Sequence, residues 1–150
     1  MKKLVAIGLT IVICLLCVAC GSGSVSDNSA TEAETKTVYT DESISVDFVK
    51  VSDSAVAGNF EMYIKAQNNT DKDITVYLKD VTINGSAVQI GSGVPCDIVA
   101  GANRTHGFFG RLDLAGVSSS NEITKITFKV WVVDKDFNTI ITTTDLEVEI

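Results

Sequence analysis

From about Val38 to Ile150 the apolar positions recur at every second residue in short bursts, the period of strands with one buried face. Ile44, Val46 and Phe48 alternate, and Val49 and Val51 continue one register later, which predicts a β-bulge. Phe60, Met62, Ile64 and Ala66 repeat the pattern without a break. Asn68-Asn69-Thr70-Asp71-Lys72-Asp73 interrupts it as a polar turn; Ile74, Val76 and Leu78 then resume, with Val81 and Ile83 on the opposite parity. Asn84-Gly85 predicts a two-residue hairpin turn, because a type I′ turn needs positive φ at both central positions. Ala87, Val88 and Ile90 are the expected return strand.

Further along, Gly91-Ser92-Gly93-Val94-Pro95 and Ala100-Gly101-Ala102-Asn103 read as loops, and Thr105 to Leu112 as a strand. Asp113 to Val117 fits one helical turn with Asp113 as its N-cap. Ile126, Phe128, Val130 and Val132 share one face of the next strand, and Trp131 and Val133 occupy the other, so this strand should be central. Asp134-Lys135-Asp136-Phe137-Asn138 is a turn, and Thr139 to Ile150 closes the domain through Ile141, Leu146, Val148 and Ile150. The expectation is an all-β domain: a single antiparallel Ig-like β-sandwich of about seven strands over residues 38–150. The antibody-type Cys…Trp…Cys spacing is absent, so the likeness to immunoglobulins is architectural.

The first 37 residues follow other rules. Met1-Lys2-Lys3 precedes the uncharged run Leu4 to Ala19, which would reach about 24 Å as a helix, short of the ~30 Å hydrocarbon core. That suits a signal segment over residues 1–19 better than a permanent span. Gly21 to Thr37 is rich in Ser, Thr, Gly and acids and has no period, which predicts a flexible tether over residues 20–37, ~20–25 Å long on average.

Between the two lies Leu16-Cys17-Val18-Ala19-Cys20-Gly21-Ser22, which resembles a bacterial lipoprotein box, with small Ala19 before the Cys and Gly21-Ser22 after it. Cys17 stands where Leu is usual, and Leu16 lies one place earlier. The resemblance implies cleavage ahead of Cys20 and a diacylglycerol on its sulfur. Two or more acyl chains in one residue give stable anchoring where a single chain does not. The expected location is extracytoplasmic, anchored to the cell membrane by lipidated Cys20. An uncleaved anchor and plain secretion after Ala19 are the alternatives.

Charge narrows the function classes. The chain has 12 Lys+Arg against 19 Asp+Glu; without the first twenty residues, which hold Lys2 and Lys3 and no acids, 10 remain against 19, a net −9. Phosphate binding needs clustered Lys and Arg, so nucleic acid is not an expected partner. With one His, four Cys, no G-x-S-x-G elbow and no phosphate-cradling glycine loop, no enzyme chemistry is expected. Cys14 and Cys17 would leave with the signal and Cys20 would carry lipid, so Cys96 is read as a small buried hydrophobe.

Two binding chemistries stay open beside a protein-adaptor role towards another cell-envelope component. Asn69-x-Asp71-x-Asp73 and Asp134-x-Asp136-x-Asn138 space oxygen ligands two apart, and the B–C and F–G loops that carry them cluster at one end of Ig-like sandwiches. They are candidate calcium ligands, although Asn and Asp are also ordinary turn residues. Tyr63, Tyr77 and Trp131 lie opposite the main apolar faces of their strands and are candidates for a platform that stacks a glycan or small ligand.

The domain resembles a group of secreted lipoproteins of firmicutes and actinobacteria with a telokin-like, Ig-like β-sandwich, typed after an immunoprotective extracellular antigen. The resemblance spans roughly Ser43 to Ile150. It rests on Asn68 to Val76, on Val81-Thr82-Ile83-Asn84-Gly85, on Val99-Ala100-Gly101, and on Asp113-Leu114 with Ile123 to Trp131. Ser86 stands where the group has an aromatic, and Ala102-Asn103 where it has a Lys. The group implies a fold and a location, and no reaction or catalytic residues.

Overall fold

The computed structural model describes residues 35–150, and the signal segment, Cys20 and most of the tether lie outside them. Two antiparallel sheets pack face to face in an Ig-like β-sandwich. The first is ordered β1 (Lys36–Thr40), β2 (Ile44–Asp53), β3 (Asn59–Asn68), β7 (Asn103–Arg111). The second is built on β4 (Ile74–Ile83) and β8 (Lys125–Asp134). Two short strands, β5 (Ser86–Ala87) and β6 (Cys96–Ile98), line the outer edge of β4. β9 (Thr139–Thr142) and β10 (Leu146–Glu149) line that of β8.

The alternation read from the sequence is the inward face of these strands. Val46, Phe60, Met62, Ile64, Ile126 and Phe128 are among the residues that fill the space between the sheets. Phe48 pairs with Ile64 but Lys50 with Tyr63, so Val49 is the extra residue of the predicted bulge. A second bulge between Lys79 and Thr82, with Asp80 at φ 51°, accounts for the parity change at Val81. Asn84 (φ 49°) and Gly85 (φ 85°) make the expected hairpin turn. β8 is central, as its two apolar faces require. Gly110 is needed where it stands: a Cβ there would run into the Phe60 ring.

Four local expectations are corrected. The first strand begins at Lys36, two residues ahead of Val38. Lys36 and Thr37 pair with Phe48 and Asp47 through the backbone, which needs no apolar side chain, and Thr37 Oγ1 donates to Asp47. The helical turn α1 is Leu112–Ala115, with Arg111 rather than Asp113 at its N-cap. Buried Leu112 starts it, and the Asp113 carboxylate pairs with Arg111. The return strand after Asn84-Gly85 stops at Ala87. Gly91 then exchanges backbone bonds with Phe109 on the edge of the opposite sheet, before β6 returns to β4, so this segment closes one side of the sandwich. The final stretch divides at buried Thr143, whose Oγ1 accepts from the Val130 N–H and whose own N–H donates to the Val130 carbonyl.

Candidate functional site

Register decides which loops meet. Ile74 is opposite Asp134, Ile44 is opposite Asn68, and Ile98 is opposite Ile74. The β1–β2, β3–β4, β6–β7 and β8–β9 connections therefore share one end of the sandwich. β1 runs towards this end from Lys36, whereas β10 runs away from it to the C-terminus.

Asn68 organises the end. Its side chain is fully buried, where an amide is tolerated only if its donors and acceptor are matched. Nδ2 donates to the carbonyls of Lys72 (2.7 Å), Ile98 (3.1 Å) and Val99 (3.1 Å), and Oδ1 accepts from the N–H and hydroxyl of Thr70 (2.9 and 2.7 Å). One side chain thus closes the β3–β4 turn and ties it to the β6–β7 turn; both of these turns carry the chain between sheets. Asp73 adds a second tie, accepting from the Ala100 N–H at 3.0 Å.

The β8–β9 loop is held by Asp134. Oδ1 accepts from the N–H groups of Asp136 and Asn138, each at 2.9 Å, and Oδ2 from Asn138 Nδ2 at 3.0 Å. The bonds from Asn138, and then those from the backbone, hold the Asp134 carboxyl below its ordinary pKa. Phe137, held inside this braced loop, takes φ 62° and is 68% exposed. Val99, in the turn that Asn68 braces, is 61% exposed.

The two oxygen-rich loops proposed for calcium do come together, with Asp71, Lys72, Asp73, Asp134, Lys135 and Asp136 around a cleft of about 440 Å³. Three of the six candidate side chains are already engaged within the fold. Asp73 and Asp134 accept backbone N–H bonds, and Asn69, Asp71, Asp136 and Asn138 are exposed, with the Asn138 amide turned to Asp134. Among the described residues no three His, Cys, Asp or Glu side chains are grouped in a metal-site arrangement.

The three aromatics do not form one platform, because the sandwich puts their strands in different sheets. Tyr63 is on the outer face of the β1-β2-β3-β7 sheet with Lys50 Nζ 5.0 Å from its ring centroid. Tyr77 and Trp131 are cross-strand partners on the outer face of the other sheet, with centroids 5.1 Å apart. Lys79 Nζ lies 3.3 Å from the Trp131 centroid and Trp131 Nε1 donates to Thr139 Oγ1, so its face and edge are both engaged within the fold.

Cys96 is wholly buried, and burial, only partly offset by Arg104, pushes its thiol up to about 11. His106, on β7 opposite Ile64, points inward. It is 8% exposed, packs edge-on against Phe108, and its Nε2 is buried with no hydrogen-bond partner among the described residues. Burial first, then the Arg104 charge, lowers its pKa.

Sequence reasoning missed Phe137, Val99 and Asn68. Phe137 was legible as an aromatic inside a turn of otherwise polar residues; the role of Asn68 was not, since an Asn before a polar turn looks like any turn residue.

No protein-family model and no curated protein matches this chain. Solved structures with a similar course include the GAE domain of GGA2p from Saccharomyces cerevisiae (9% identity, TM-score 0.44, 77% of this chain and 96% of that one). The yeast GGA1 GAE domain–P21 structure is similar at 8% identity and TM-score 0.44 (77% and 97%). A FixG-related protein from Vibrio parahaemolyticus follows at 15% identity and TM-score 0.36 (73% and 94%).

Proposed function

We propose that this protein is a lipid-anchored extracytoplasmic binding or adaptor module: diacylglycerol on Cys20, a polar tether, and a non-catalytic sandwich that presents its loops to a partner in the cell envelope. The observation that carries the binding role is the braced loop end. Asn68, Asp73 and Asp134 hold three loops by side-chain bonds to backbone, so the apolar groups at their tips are ordered before any partner arrives. Preordering reduces the entropy lost on association, which is how rigid loops on a β-scaffold serve recognition. The anchor rests on the lipoprotein-box resemblance and on the length of the Leu4 to Ala19 run.

Two measurements test this. Cells grown with a clickable palmitate analogue should label the wild-type chain in the membrane fraction, and Cys20→Ser should lose both label and fractionation. In-cell crosslinking with affinity capture through the C-terminus, which leaves the domain at the end away from these loops, should return one dominant envelope component. Label surviving Cys20→Ser refutes the anchor; capture at background level refutes the adaptor role.

A further inference from the structure

Resting on that reading, we propose that the loop end docks a protein partner through Phe137 and Val99, and that the partner offers an apolar pocket rimmed by Lys and Arg. The two side chains are among the most exposed large apolar groups described, and both sit on loops that are locked rather than frayed. An aromatic fixed in solvent is the form an interface anchor takes, since such residues dominate binding energy when they fill a partner's pocket. Phe137 holds a left-handed backbone conformation that is unfavourable for a bulky residue, and the Asp134 bonds keep it there.

Charge selects the partner. The β1–β2, β3–β4 and β8–β9 loops, together with Asp134 at the end of β8, carry six carboxylates between Asp41 and Asp136, against the ammonium groups of Lys72 and Lys135. The rim around the two apolar tips is therefore strongly negative. It would repel another acidic surface, including a second copy of this chain, and would steer a basic one.

The test uses the full chain in its own cells with a benzophenone amino acid at position 99 or at position 137, and at Ser52 on the outer face of the β1-β2-β3-β7 sheet as a control. The expected result is one dominant adduct from each loop position. Its attachment point, mapped by fragmentation, should lie on an apolar surface flanked by Lys and Arg. With the photoprobe at position 99, Phe137→Ser should cut adduct yield about tenfold or more. Asp71→Lys combined with Asp136→Lys should also cut it, and Phe137→Gly, which suits the backbone angle, controls for folding. An adduct that survives Phe137→Ser, maps to an acidic surface or joins two copies of this chain overturns the proposal. Adducts only from Ser52 overturn this surface while leaving a binding role intact. Adducts from none of the three positions, with background-level untargeted capture, overturn both.

Discussion

Replacing Asn68 by Ala should be the most costly polar substitution in the domain. The change removes two acceptor bonds to Thr70 and the donor group shared by three carbonyls. The Ile98 carbonyl lies in buried surroundings, and stranding such a group costs about 1–3 kcal/mol. The Lys72 and Thr70 groups are part-buried and regain water, so each adds nearer the ~0.5–1 kcal/mol of an ordinary bond. The expected total is about 3–4 kcal/mol, a large share of the ~5–15 kcal/mol stability of a typical domain. Urea unfolding of residues 35–150, followed by Trp131 fluorescence, measures it as a lower midpoint at unchanged slope. Asn68→Asp sharpens the test. At neutral pH it directs an oxygen with no hydrogen at three carbonyl oxygens, so it should be worse than Asn68→Ala. A carboxyl placed there has its folded pKa raised above the unfolded ~3.9, so relative to wild type its deficit should shrink as pH falls and grow as pH rises. A loss below about 1 kcal/mol for Asn68→Ala, or an Asp variant as stable as the Ala one at pH 7, refutes the account.

His106 has a folded pKa below its unfolded value, so its contribution is complete above about pH 6.5 and is lost as pH falls, because the unfolded chain takes up the proton first. Stability measured from pH 7.5 down to 5 should therefore decline less steeply in His106→Leu than in wild type; equal slopes refute this. Cys96 should resist iodoacetamide in the native protein and react at once in urea, and alkylation at the same rate in both would contradict its burial. Phe137→Asn should stabilise the domain by about 0.5–1 kcal/mol, since a left-handed residue costs ~1–2 kcal/mol that Asn largely avoids, while crosslinking at the loop end is lost. A lower melting midpoint would show that the ring is packed rather than presented. Calcium and chelator should leave the midpoint unchanged, because the Asp73 and Asp134 carboxylates already accept backbone bonds; a clear rise with calcium would establish the metal reading.

The alternation in the chain carried its strands, the bulge at Val49, the Asn84-Gly85 turn and the central place of β8, because each depends on residues adjacent in sequence or on a period of two. The meeting of the Asp71 and Asp134 loops was legible too, once the strands were placed in a sandwich. What only the tertiary structure decided were relations between distant residues. Tyr63 and Trp131 have the same local pattern, yet the crossing between β3 and β4 puts them on opposite outer faces. His106 faces inward because β7 follows the register of β3, with Ile64 opposite it, and no neighbour in sequence reports that. Asn68 reads as a turn residue until Ile98 and Val99, some thirty positions later, bring their carbonyls to its amide. A buried polar side chain is justified by its partners, and the fold alone brings those partners to it.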